Sequence, residues 1–205
     1  DGTVEEHVAE LVDGLTGSEE KEKALFLDVA TGIRNVHLNL GLGGYEPNDA
    51  SQVLENKYGD TRDKAVLLVS MLRAAGVDAY PVLVAGGTDA RFTESVPTLR
   101  QFTRVLVVYP DATGPRFLDP FLDDALYGFL RWGRGNTGLL VRDDGSGELV
   151  SVPTFSPEEN RAHRSMGLAL DANGSLAVRD AIALADALQD VRIAYFEQPV
   201  PISDL

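Results

Sequence analysis

The chain reads Lys57-Tyr58-Gly59-Asp60-Thr61-Arg62-Asp63-Lys64-Ala65 immediately before a long apolar segment, residues 66–75. This order predicts a turn at the Gly-Asp pair and then a helix, with Asp60 or Thr61 as N-cap and Asp63 in the first turn. Gly76 ends the helix, since glycine closes helices readily. We expect the helix over 61–75 to be buried, because apolar side chains occupy nearly all of its faces.

Helical patterns precede this segment, and strand patterns follow it. Apolar residues recur at helical spacing over residues 3–15 and 18–36, and a short capped helix is predicted over 48–54. Short apolar segments separated by Gly, Pro and Asp turns predict strands, and these are residues 79–85, 102–109, 115–118, 138–142 and 148–152. Helices first and strands afterwards predict an α+β domain, not alternating βαβ units.

Composition limits the classes of partner and chemistry. The 205 residues suffice for one domain with an appended segment, and 18 basic against 32 acidic residues give a net charge of 18 − 32 = −14. This balance argues against nucleic acid and anionic membrane surfaces as partners. No apolar run approaches the roughly 18 residues of a membrane span, so we expect no direct membrane insertion. The absence of cysteine excludes disulfides, thiolate metal sites and cysteine catalysis.

Residues from about 15 to 155 resemble the transglutaminase-like domain of bacterial multi-domain proteins. The segments that carry the resemblance are residues 18–21, 33–34, 43–47, 58–65, 72–79 and 117–120. The resemblance implies a papain-like α+β fold, in which a buried helix carrying the nucleophile packs on an antiparallel sheet that supplies His and Asp. It also implies a periplasmic or other extracytoplasmic location.

The same resemblance implies a triad of nucleophile, base and orienting carboxylate. Here the three positions hold Thr61, Arg104 and Asp119. A threonine hydroxyl is not appreciably ionised at neutral pH, and arginine, with a pKa above about 12, cannot act as the base. An Arg104–Asp119 ion pair is expected to replace the His–Asp hydrogen bond. The resemblance therefore implies a catalytically degenerate domain, serving as a structural module or holding a peptide or protein segment in its groove.

Other interpretations remain open at these positions. An enzyme with altered acyl-transfer or amidase chemistry could use another group, such as Asp60 or Asp63. Thr61 is also an ordinary residue for the start of a helix, and Asp119 before a proline is a common turn residue. Asp63 and Lys64 are predicted to form a solvated first turn. Three aromatic residues are predicted to line the core or the groove, and these are Tyr127, Phe129 and Trp132.

The last forty residues carry a second, shorter resemblance. Residues 168–174, a helical pattern over 178–189 and residues 191–201 are similar to one βαβ step of the enolase superfamily. In that superfamily Asp and Glu at the ends of adjacent barrel strands bind Mg²⁺. The matching residues are Asp171 and Glu197, 26 positions apart, and they imply a metal-binding fragment of a lyase or isomerase.

Two observations weigh against the enolase interpretation. No lysine occurs after Lys64, so the lysine base of that superfamily is missing, and no third carboxylate strand follows. The alternative is a β-hairpin around Asn173-Gly174, between residues 168–170 and 175–178. We therefore predict a transglutaminase-like domain over 1–155, a linker plus appended segment over 156–205, and no bound metal or cofactor.

Overall fold

The computed structural model describes residues 2–36, 46–86, 92–95, 98–122, 126–154, 168–171 and 193–197. The chain forms two compact units, Asp1–Phe155 and Ser156–Leu205. None of the helices in the described part of the chain has the length and hydropathy that spanning a lipid bilayer requires.

The helices of the first unit surround one central helix. They are α1 (Gly2–Leu11), α2 (Ser18–Gly32), α3 (Ala50–Asn56) and α4 (Thr61–Ala74). Helix α4 contacts the other three, and its residues Leu67, Leu68 and Met71 have no solvent exposure. It ends before Gly76, which has a positive φ of 85° that suits glycine. The predicted buried helix is confirmed.

An antiparallel sheet follows the helices. Its strands are β3 (Tyr80–Val84), β4 (Arg104–Asp111), β5 (Gly114–Leu118), β6 (Thr137–Val141) and β7 (Gly147–Ser151), in the spatial order β5-β4-β3-β6-β7. Tyr80 lies opposite Val108 and Val84 opposite Arg104, which is antiparallel register and not a parallel βαβ pair. The α+β, papain-like fold class predicted from the sequence is confirmed.

Strand β4 separates two apolar clusters, because successive side chains of a strand point to opposite faces. Val105, Val107 and Tyr109 belong to the cluster that includes the buried side of α4. Leu106 and Val108 belong to the cluster on the other face of the sheet. Helix α4 therefore packs on β4, with its first residue near the beginning of that strand.

A two-stranded parallel sheet joins the segments that flank α3. Its strands are β1 (Arg34–Asn35) and β2 (Tyr58–Gly59), with Arg34 opposite Tyr58. Two-residue strands have no apolar period, so the sequence pattern did not predict them. This sheet brings Asn35 beside the start of α4.

The second unit contains one described strand pair. Strands β8 (Leu168–Asp171) and β9 (Ile193–Glu197) pair in parallel, with Leu168 opposite Ile193 and Asp171 opposite Glu197. A parallel pair requires a crossover connection between its strands. The predicted helix over 178–189 and the predicted hairpin strand over 175–178 lie outside the described residues.

Candidate functional site

The start of α4 is held by a reciprocal hydrogen-bond pattern. The side chain of Asp60 accepts from the backbone N–H groups of Arg62 (2.7 Å) and Asp63 (3.1 Å). In return, Oδ2 of Asp63 accepts from the backbone N–H of Asp60 at 3.0 Å. This is a capping box, which satisfies N–H groups that a helix leaves without partners. Asp60 is therefore the N-cap, as predicted.

Asp63 also ties the start of α4 to the segment before α3. Its Oδ1 accepts from the backbone N–H (2.8 Å) and the side-chain Nδ2 (3.2 Å) of Asn48. Gly59 makes this approach possible, since an added Cβ there would lie 2.8 Å from Cβ of Asp63. Asp63 is 6% exposed, so the predicted solvated position is wrong. Its carboxylate oxygens accept hydrogen bonds from N–H groups of Asn48 and Asp60. A helical sequence pattern does not reveal these donors.

Lys64 is buried, which also contradicts the predicted solvated first turn. Its Nζ donates to the backbone oxygens of Ala30 (3.0 Å) and Ile33 (2.9 Å) and to Oδ1 of Asn35 (2.7 Å). Ala30 and Ile33 lie at the C-terminal end of α2, where backbone carbonyls lack helical partners and a cation is favourable. The lysine side chain therefore crosses between two helices and caps one of them.

Thr61, the predicted nucleophile position, bonds to the backbone of β4. Its Oγ1 accepts from the N–H of Val105 at 3.1 Å and donates toward the Val105 carbonyl oxygen at 3.4 Å. The hydroxyl thus links the first residue of α4 to the second residue of the neighbouring strand. Because Val105 follows Arg104 directly, this bond also brings Thr61 next to the predicted base position.

Arg104 and Asp119 form a salt bridge. Nη1 of Arg104 donates to both carboxylate oxygens, at 3.2 Å and 2.9 Å, and Oδ1 of Asp119 also accepts from the Phe121 N–H at 3.1 Å. Asp119 has no solvent exposure. This burial raises the pKa of Asp119 above its ordinary value, against the opposing effects of the Arg104 charge and the Phe121 N–H. The ring of Phe121 lies 5.3 Å from the Arg104 guanidinium.

The structure thus brings the three predicted positions together at the beginning of β4. No histidine joins them among the residues described here, because His7 is bonded to Asp28 at 2.8 Å between α1 and α2. His37 and His163 lie outside the described residues. Within the site the groups present can form hydrogen bonds and ion pairs.

Sequence reasoning missed a buried polar cluster, which we call the Glu22 cluster (Glu22, Tyr109 and Tyr127). The Tyr109 hydroxyl donates to Oε2 of Glu22 at 2.7 Å and lies 2.6 Å from the Tyr127 hydroxyl, which donates to the same Oε2 at 3.2 Å. Burial raises the pKa of Tyr127 to about 12 and raises that of Tyr109 as well. The available signal was the position of Glu22, which shares the helical spacing of buried Leu25, Phe26 and Val29.

The other predicted residues have contacts of their own. Tyr127 belongs to the Glu22 cluster, Phe129 has Arg134 5.6 Å from its ring, and Trp132 is half-buried. Asp171 and Glu197 are backbone partners in the β8–β9 pair. Among the residues that the structure describes, no group of three or more His, Cys, Asp or Glu side chains could hold a metal ion.

Comparison with known proteins covers part of this site. Residues 5–96 match the sequence profile of the transglutaminase-like superfamily, a range that includes Thr61 and ends before Arg104 and Asp119. No curated protein sequence matches the chain.

Two solved structures match parts of the chain. A "putative protease" from Parabacteroides distasonis is 20% identical with a TM-score of 0.57, over 74% of this chain and 28% of that one. A "putative cysteine protease" from Cytophaga hutchinsonii is 13% identical with a TM-score of 0.44, over 58% of this chain and 37% of that one. This chain therefore spans only about a third of either protein, and the first likeness shows the fold alone. The first unit of this chain therefore has a papain-like α+β fold, and residues 5–96 within it are similar to the transglutaminase-like superfamily.

Proposed function

We propose that this domain does not catalyse acyl transfer and instead acts as a structural module or binds a peptide or protein segment. The observation that carries the proposal is the state of the predicted nucleophile. The Thr61 hydroxyl is bonded to the backbone of Val105, and the residue before Val105, at the predicted base position, is Arg104, which is paired with Asp119.

Acyl transfer needs a nucleophile, a base that takes its proton and a group that orients the base. The chain has no cysteine, so no thiolate is possible. A threonine hydroxyl requires a neighbouring base, and the Arg104 guanidinium, already donating to Asp119, has no lone pair for a proton. The Arg104–Asp119 pair therefore supports a structural clamp in the place of a base and its orienting carboxylate.

The rival is an enzyme with altered chemistry that uses Asp60 or Asp63. Both carboxylates already accept hydrogen bonds, Asp60 from two backbone amides and the Arg62 side chain, and Asp63 from Asn48 and the Asp60 amide. A carboxylate that already accepts several hydrogen bonds has fewer oxygen lone pairs left to take a proton from a nucleophile. This arrangement favours a role in holding the helix rather than in moving protons.

A turnover assay tests the proposal. The purified chain is incubated with a glutamine-containing peptide and a primary amine, and ammonia release and peptide cleavage are followed over hours. We expect no turnover above the rate without protein. Turnover that disappears in Thr61→Ala would overturn the proposal, and turnover that persists in Thr61→Ala but disappears in Asp60→Asn or Asp63→Asn would support the rival.

A second candidate function rests on the register of the second unit. Asp171 and Glu197 lie opposite each other on parallel strands, as a shared metal site of the enolase type would require. The test is thermal melting with and without about 5 mM Mg²⁺, at which a millimolar site adds only about 1 kcal/mol. A shift of several degrees that is lost in Asp171→Asn would support this candidate, and equal melting temperatures would count against it.

A further inference from the structure

Among the residues that the structure describes, the hydrogen bonds of the Arg104 side chain come from one of its three nitrogen atoms. Nη1 donates to both oxygens of Asp119, so the carboxylate is bound at one corner of the guanidinium and not along an edge. Nε and Nη2 donate to no other group in the described part of the chain, and the side chain is 16% exposed. One planar edge with two N–H donors therefore faces away from Asp119.

Gly86 has no side chain that could cover the Nε–Nη2 edge of the Arg104 guanidinium. Its backbone is held by Thr103, whose Oγ1 accepts from the Gly86 N–H at 2.9 Å and donates to the Gly86 oxygen at 3.1 Å. A Cβ at Gly86 would lie 3.2 Å from Cβ of Arg104 and 3.8 Å from its Nε. Any larger residue would place atoms against the guanidinium, and glycine places none.

Apolar side chains precede Arg104 closely in the chain. Phe102, two residues before Arg104, stacks on Phe92 with 5.5 Å between ring centroids and an interplanar angle of 17°. Leu99, one turn earlier, is 53% exposed. The beginning of β4 thus combines a cation that has spare donors with aromatic and aliphatic surface.

We propose that the open edge of Arg104 binds a carboxylate, and that the ligand is a peptide with a free C-terminus on an apolar last residue. The Nε and Nη2 pair matches the two oxygens of a carboxylate, a geometry in which arginine is particularly effective. The last side chain of the peptide packs on Phe92 and Phe102. Because the chain carries a net charge of −14, the rest of the ligand is neutral or basic.

This inference rests on the proposed binding function and names its ligand class. An imidazole has an ordinary pKa of about 6.5 and is largely neutral near pH 7, whereas a guanidinium group in general carries its charge there. Arg104 stands where a histidine base is expected, and its positive charge can pair with an anion.

Two matched peptides provide the test, acetyl-Ala-Ala-Phe with a free carboxylate and the same peptide as a carboxamide. Binding to the whole chain is measured by isothermal titration calorimetry near pH 7. We expect the free acid to bind about ten-fold more tightly, the effect of one charge-assisted hydrogen-bonded pair on a partly exposed surface. Phe102→Ala should weaken both peptides and leave their ratio unchanged.

Three variants locate the effect. The double variant Arg104→Gln/Asp119→Asn removes both charges together, so no buried carboxylate is left alone, and it should bind the two peptides equally. Arg104→Lys keeps a cation for Asp119 without a planar edge and should also lose most of the preference. Arg100→Gln, at an exposed position nearby, should keep the ten-fold ratio.

Each outcome decides the inference. Equal or absent binding of both peptides to the wild type overturns it, and so does a preference that survives in both Arg104 variants. Neither result would be evidence of catalysis, so the proposal that the domain does not catalyse acyl transfer would stand. Cleavage or amidation of the peptides during the titration would instead overturn that function.

Discussion

The ammonium group of Lys64 lies 2.7 Å from Oδ1 of Asn35, although the two residues are 29 positions apart in the chain. Two backbone carbonyls at the end of α2 also accept from it, so three described acceptors match the three N–H donors of the ammonium group. One side chain thereby joins α2, the β1 strand and α4. Its contribution to stability can be measured directly.

Lys64→Met should lower the free energy of unfolding by about 2–4 kcal/mol, because it leaves buried carbonyl acceptors without a donor while keeping an apolar chain of similar length. Urea denaturation followed by circular dichroism measures this. Lys23→Met, at an exposed position on α2, is the matched control and should change the value by less than about 0.5 kcal/mol. Equal effects of the two variants would contradict the capping role of Lys64.

The pH dependence of stability should report the burial of Asp119. Its pKa is raised in the folded protein above the unfolded value of about 3.9, so the folded state holds this proton more tightly. The protonated Asp119 carboxyl therefore stabilises the folded state at low pH. This contribution is lost as the pH rises from the unfolded pKa of Asp119 through its higher folded pKa. We expect the unfolding free energy of the wild type minus that of Asp119→Asn to fall as pH rises from about 4.

A series of urea denaturations between about pH 3 and pH 7 checks this sign. Asparagine still accepts from the Phe121 N–H, so the variant changes mainly the charge at this position. A difference that rises with pH would show that the Arg104 charge outweighs burial and that the pKa of Asp119 is lowered instead.

The Glu22 cluster should contribute through its hydrogen bonds. Tyr109→Phe removes the hydroxyl that bonds to Glu22 and Tyr127 and leaves a nearly buried carboxylate with fewer donors. We expect a loss of about 1–3 kcal/mol in the free energy of unfolding. Tyr58→Phe, at a position 42% exposed, should have an effect within about 0.5 kcal/mol. If Tyr109→Phe is neutral, the cluster does not stabilise the fold.

Catalysis should return only when two positions change together. Thr61→Cys with Arg104→His supplies a thiol and an imidazole next to Asp119, and we expect weak ammonia release from glutamine peptides. Either single variant should stay inactive, because proton transfer needs both groups. Adding Asp119→Asn to the double variant should reduce its rate, because the imidazole loses the carboxylate that orients it. Activity in Thr61→Cys alone would mean that another base serves the site.

Secondary structure was predictable from the sequence where the same residues both define an element and form the apolar core. Helix α4 has a strong start at Asp60, a glycine at its end and apolar residues between them, so its bounds and its burial were both predictable. The strands of the sheet were predictable for a similar reason, since each is a short apolar run between turn residues. The register between them needed the structure, because alternation alone does not choose a partner.

The polar interior was less predictable. Lys64 and Asp63 belong to a polar helical turn that looks solvated in sequence, and both are buried because their partners come from α2 and from the segment before α3. The proximity of Arg104 to Asp119 followed from a family resemblance and not from a local pattern. A sequence pattern also does not show which N–H donors of Arg104 face Asp119 and which face away from it.

The Asp60–Asp63 box, with Asn48 and Gly59 around it, has a consequence for how such a domain can change. These residues position the first turn of α4, and none of them is a triad position. Chemistry at position 61 can therefore be exchanged without loosening the turn that presents it. A scaffold organised in this way can lose an activity in one substitution and keep its shape, which leaves its surface free to acquire a different use.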